Sequence, residues 1–136
     1  MQRMNIYPEE VLSEDDDNGT MPENVSALRD AVVGQRIVSA EKTGGGTLVL
    51  TLDGGRRVTL RDDGDCCAYT ALEAFVLHPE AVDHVILGVG TTDGYETWHI
   101  YADFGDVLKL TVGWSCGNPF YYGYGFDIQV EDSTPV

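Results

Sequence analysis

Thr47-Leu48-Val49-Leu50-Thr51-Leu52 alternates strictly, which puts Leu48, Leu50 and Leu52 on one face of an extended strand. Arg57-Val58-Thr59-Leu60 returns with Val58 and Leu60 facing together. Between them, Asp53-Gly54 or Gly54-Gly55 supplies the positive φ angles of a tight turn, so the pattern predicts a hairpin. Arg36 to Lys42 reads as a strand before it, with Gly44-Gly45-Gly46 as the connecting turn. Glu96 to Asp103 alternates again, with Trp98, Ile100 and Ala102 on one side and Thr97, His99 and Tyr101 on the other. Val107 to Val112 places Leu108, Leu110 and Val112 together. His84 to Gly90 has the β-branched density of a buried strand, Thr92-Asp93-Gly94 is a turn, and Phe126 to Val130 reads as a last strand.

A period of 3.6 occurs near the N-terminus. Thr20 to Gly34 predicts a helix, with Thr20 and Glu23 as a capping box, Pro22 in the first turn and Gly34 as the stop. Val25, Leu28 and Val32 form its apolar stripe. Cys66 to Leu77 fits either periodicity: Ala71-Leu72-Glu73-Ala74 favours helix, while Cys67, Tyr69, Ala71 and Phe75 can line a strand. His78-Pro79 ends the element in either case.

These elements predict an α+β fold that is predominantly antiparallel β. It is a meander of about seven strands, curled into a half-barrel or open barrel to limit bare edges, with one N-terminal helix. Glu14-Asp15-Asp16-Asp17 buries nothing and repels itself, so residues 1–19 are predicted to be an acidic arm. Residues 20–130 then form a single β-rich domain, and residues 131–136 a frayed tail.

Charge narrows the partners. The 136 residues carry 23 acidic and 8 basic side chains, a net charge of −15. After Arg61 the only basic residue is Lys109. Such a surface repels a phosphate backbone, so neither nucleic acid nor an anionic membrane is the expected partner. No apolar run approaches the roughly 20 residues of a membrane span. The N-terminus lacks the layout of a signal peptide, and the expectation is a cytosolic protein with reduced cysteines.

Candidate chemistry is sparse. Cys66 and Cys67 are adjacent, and neighbours on a strand point to opposite faces, so they do not share a metal ion. Each reads first as a small buried hydrophobe. Cys116 with His78, His84 and His99 supplies enough donor atoms for a metal but shows no ligand spacing, so no metal and no cofactor is expected. Cys66 with His99 is one formal nucleophile–base pair, and Asp65, Glu73, Glu96 and Asp103 are carboxylates placed for acid–base work, but nothing selects among them. No catalytic residue is assigned. The segment Trp114 to Phe126 is more distinctive. It holds six aromatics in thirteen residues, broken by glycines. Tyr and Trp dominate binding hot spots, and the basic groove of a single-strand nucleic-acid binder is missing, so the segment points to a protein or small-ligand partner.

Three motifs resemble one family. Asp65-Cys66-Cys67, Thr97-Trp98-His99-Ile100-Tyr101, and Trp114 followed by Gly117, Asn118, Tyr121 and Tyr122 occur in the order seen in small phage-encoded proteins grouped as a domain of unknown function, with actinobacteriophage-type relatives. The likeness runs from about Gly34 to Val130. Ala68 stands where that family has glutamate, and Pro119-Phe120 interrupts the last motif. The resemblance implies a β-rich fold and a phage context in the host cytoplasm, and supplies no chemistry. The expected function is a non-enzymatic interaction protein that modulates a host or phage protein. Its candidate binding residues are Asp65, Cys66, Cys67, Trp98, Trp114, Asn118, Phe120, Tyr121, Tyr122 and Tyr124. The alternatives are an acidic DNA mimic that inhibits a DNA-binding protein, a small Cys/His enzyme or metalloprotein, and a minor virion component. Oligomeric state is not legible.

Overall fold

The computed structural model describes residues 21–44, 46–64, 69–93, 95–103, 105–115 and 125–132. Helix α1 (Met21–Val32) is followed by β1 (Ile37–Thr43), β2 (Thr47–Leu52), β3 (Arg56–Arg61), the two-residue β4 (Asp63–Gly64), β5 (Tyr69–Leu77), a 3-10 turn (Pro79–Ala81), β6 (Gly88–Thr92), β7 (Thr97–Ala102), β8 (Gly105–Ser115) and β9 (Asp127–Asp132). Every pairing is antiparallel. The strands divide into a four-stranded sheet, β1-β2-β3-β9, and a five-stranded sheet, β4-β5-β8-β7-β6. The antiparallel fold with one N-terminal helix is thus as the patterns predict. Among the described residues the strands lie in two open sheets, and neither closes into a barrel.

The helix buries the stripe predicted for it: Val25, Leu28 and Val32 are fully buried. Gly34 ends it with φ of 86°, a conformation that costs glycine no Cβ clash. The capping residue Thr20 lies outside the described residues. In the hairpin, Leu48 faces Leu60 and Leu50 faces Val58 across the β2–β3 pair, and all four are buried. Gly55 supplies the turn's positive φ, 89°, and its N–H donates to the Leu52 carbonyl. The last strand returns from the end of the chain to lie beside β3, opposing Val130 to Val58 and Ile128 to Leu60. Pairing continues through Asp132, two residues beyond Val130, and there Arg56 Nε donates to the Asp132 carboxylate at 2.6 Å.

The ambiguous segment is a strand from Tyr69 onward. Helix propensity at Ala71-Leu72-Glu73-Ala74 is worth only tenths of a kcal/mol per residue, and a full ladder with β8 overrides it. Glu73 is the extra residue of a bulge between Leu72 and Ala74, where the Leu72 N–H donates to Asp62 Oδ1 at 2.9 Å.

The strand expected at His84 to Gly90 begins later, at Gly88. The reason is hydrogen bonding. Ile86 donates its N–H to the Gln35 carbonyl and accepts the Gly34 N–H, both at 2.9 Å. Its backbone therefore serves the end of α1, and the ladder with β7 starts only when the Leu87 N–H reaches the Tyr101 carbonyl.

One continuous core lies between the sheets and the helix. It joins the α1 stripe and the leucines of the hairpin to Trp98, Ile100, Leu108, Leu110 and Val112 of the five-stranded sheet. Phe126 closes it against Trp98, edge-on with ring centroids 5.3 Å apart.

Candidate functional site

Five contacts gather several chain segments at one end of the five-stranded sheet. Gly64 pairs with Tyr69, so residues 65–68 connect two adjacent strands. Tyr69 in turn pairs with Ser115, where the aromatic segment leaves β8. The far side of that segment returns to the same place, since the Gly125 N–H donates to Thr70 Oγ1 at 2.8 Å. The turn between β6 and β7 lies at this end too, because the Val112 N–H donates to the Glu96 carbonyl at 2.8 Å and Tyr95 meets Trp114 edge-on at 6.1 Å. The bases of the cysteine-bearing and aromatic segments are therefore neighbours.

The candidate binding residues fall into three groups. Asp65, Cys66, Cys67, Asn118, Phe120, Tyr121, Tyr122 and Tyr124 lie outside the described residues, as does Cys116. Trp114 is half-buried at the root of the aromatic segment. Trp98 is fully buried, and its Nε1 donates to the Tyr95 carbonyl at 2.9 Å, so it packs the core beneath this end. Tyr69, expected on a strand face, is 47% exposed. A period-2 reading cannot tell which face of β5 meets solvent until its partner strand is known.

A polar constellation stands on the outer face of the same sheet. His99 is 7% exposed. Its Nδ1 lies 3.0 Å from Asp106 Oδ2 and 3.2 Å from Oδ1, and its Nε2 lies 2.9 Å from Thr92 Oγ1. Thr97 Oγ1 donates to Asp93 Oδ2 at 2.9 Å, and that oxygen is 3.4 Å from Thr92 Oγ1. Two backbone irregularities build this arrangement. The β7–β8 register shifts between Ile100 and Tyr101, which sets Asp106 opposite Tyr101, on the face that carries His99. Asp93 and Tyr95 both adopt left-handed φ, 61° and 64°, in the turn that follows Thr92. A bulky residue such as Tyr rarely does so. The sequence named His99 but not Thr92 or Asp106, because the bulge that joins them leaves no periodic trace.

The other histidines are paired separately, His84 Nδ1 with Asp103 at 3.1 Å and His78 Nδ1 with Glu80 at 3.5 Å. Among the described residues no three His, Cys, Asp or Glu side chains assemble as metal ligands. Among the same residues no helix is long and apolar enough to cross a membrane. On the four-stranded sheet an open depression of about 530 Å³ is lined by Gly55, Arg57, Glu131 and Asp132. There the acids of β9 face arginines in register: Asp127 opposes Arg61, Glu131 opposes Arg57 and Asp132 opposes Arg56. The Arg56 guanidinium holds the Asp132 carboxyl below the usual carboxylate range. The Arg36 backbone N–H, helped by its guanidinium, does the same for Asp53. Burial pushes the Tyr101 phenol up.

The profile of a domain of unknown function, DUF7448, matches residues 30–128, and the chain belongs to that family. No curated protein and no solved structure matches it.

Proposed function

For this member of the DUF7448 family we propose a role as a protein-binding module. It is a small phage-encoded interaction protein that modulates a host or phage protein in the host cytoplasm. The contact is made at the end of the five-stranded sheet. One observation supports it: Tyr69 pairs with Ser115 while the Gly125 N–H donates to Thr70, so the described residues that flank Asp65-Cys66-Cys67 and both ends of the aromatic segment meet on one pair of strands. Loops on a rigid scaffold are where recognition residues concentrate, and Tyr and Trp provide large contact area at low entropic cost. The half-exposed Tyr69 and half-buried Trp114 extend the aromatic character down onto the sheet.

A partner held by aromatic contacts fits this surface better than phosphate mimicry does. Carboxylates that stand in for phosphates need an uninterrupted row, and the acids of β9 are each opposed by an arginine.

The test is a pull-down from host lysate with the wild-type chain and with Tyr121→Ala/Tyr122→Ala, both checked for equal melting temperature. A defined protein held by the wild type and lost by the double variant supports the proposal. A partner retained equally by both, or no partner at all, overturns it.

A further inference from the structure

We propose that Thr92, His99 and Asp106 form a hydroxyl nucleophile, its base and the base's orienting carboxylate, able to cleave an activated carboxylic ester. This goes beyond partner binding and stands without it.

A buried histidine needs two hydrogen-bond partners for stability alone. Here the partners come in a particular order. Asp106 carries no proton to donate as a carboxylate, so His99 Nδ1–H donates to it, at 3.0 Å. In the neutral imidazole this sets the tautomer and leaves a lone pair on Nε2. The Thr92 hydroxyl has one hydrogen and two acceptors in view, His99 Nε2 at 2.9 Å and Asp93 Oδ2 at 3.4 Å. The nearer acceptor is the imidazole, and Asp93 Oδ2 already accepts from Thr97 at 2.9 Å. The hydroxyl proton therefore points at a base that is itself oriented by a carboxylate, the geometry of an activated nucleophile.

Three further features converge on the same atoms. The β8 bulge turns Asp106 onto the face of His99, and bulges that re-aim a side chain recur beside active sites. Asp93 and Tyr95 hold left-handed φ immediately after Thr92, and such strained backbone clusters at functional sites. Thr92 is half-buried whereas His99 is buried, which leaves the nucleophile reachable and shields the base.

The step balances with water as co-reactant. Thr92 Oγ1 bonds to the ester carbonyl carbon while its proton passes to His99 Nε2. The adduct collapses, the C–O bond to the alcohol breaks, and His99 returns the proton to the departing oxygen. Water then attacks the acyl-threonine, giving its proton to His99. The Thr92 oxygen leaves with that proton and the carboxylic acid is released.

The experiment uses the full chain with p-nitrophenyl acetate, following p-nitrophenol release and locating the acetyl group by tandem mass spectrometry. The expected result is acetylation at Thr92. Release should fall on the order of 10²-fold or more in Thr92→Val and Asp106→Asn, with Thr92→Ser retaining the reaction. Should Thr92→Val fail to fold, the wild type and Thr92→Ser decide the matter. Wild-type protein without acetyl on residue 92, or folded Thr92→Val that reacts as the wild type does, overturns the proposal.

Discussion

Asn24 clamps both polar groups of Phe126: its Oδ1 accepts the Phe126 N–H at 2.9 Å and its Nδ2 donates to the Phe126 carbonyl at 3.0 Å. The two residues are 102 positions apart, so this one amide ties α1 to the residue that leads into β9. Asn24→Ala strips both bonds from part-buried backbone, and a loss of about 1–3 kcal/mol is expected. Urea denaturation measures it as a lower midpoint at unchanged slope. A variant with the wild-type midpoint would show that the clamp contributes nothing.

Phe126 positioned in this way meets Trp98 edge-on, and Trp98 is the largest fully buried side chain of the core. Trp98→Ala leaves a cavity between sheet and helix and should cost about 3–5 kcal/mol. Near-ultraviolet circular dichroism should lose the sharp signal of a fixed indole. Trp98→Phe should recover part of the loss.

Tyr101 lies across Gly88, where an added Cβ would stand 2.6 Å from the phenol oxygen and 2.9 Å from Cζ. Gly88→Ala must displace a ring that is itself buried, at about 1–3 kcal/mol. A spectroscopic titration gives a second readout. Burial raises the Tyr101 phenol above 10.0, against a smaller opposing pull from the Arg29 charge. Its neutral form is thus favoured by folding. That contribution is present below pH 10 and is lost as pH rises through the folded value. In Gly88→Ala the phenol should titrate closer to the ordinary tyrosine range; an unchanged titration would mean that the ring had not moved.

The Arg36 and Arg56 contacts hold the Asp53 and Asp132 carboxyls below the ordinary aspartate value of 3.8 in the folded chain. The unfolded chain therefore binds protons first as pH falls. The stability due to the Arg36 and Arg56 contacts is complete above pH 3.8 and is lost as pH drops through the folded values. Both carboxyls are solvent-exposed, so the effect is small and weakens with salt. Asp53→Asn/Asp132→Asn should show a shallower fall in stability below that pH than the wild type at low ionic strength. Equal slopes would count against the assignment.

The local pattern by itself determined the parts of this protein whose partners are close in sequence. Leu48, Leu50, Leu52, Val58 and Leu60 alternate because a hairpin buries one face. The helix stripe Val25, Leu28 and Val32 repeats because a helix does. Composition set the acidic surface. Tertiary structure decided what depends on pairing between distant segments. Cys66 to Leu77 carried two periodicities, and only the β8 ladder chose strand for Tyr69–Leu77. Ile86 was apolar enough for a strand, yet its backbone was taken by Gly34 and Gln35. His99 was visible as a residue, but its meeting with Asp106 depends on one unpaired position in β8. A bulge shifts register without altering composition, and a hydrogen bond between strands leaves no mark on either strand's own period.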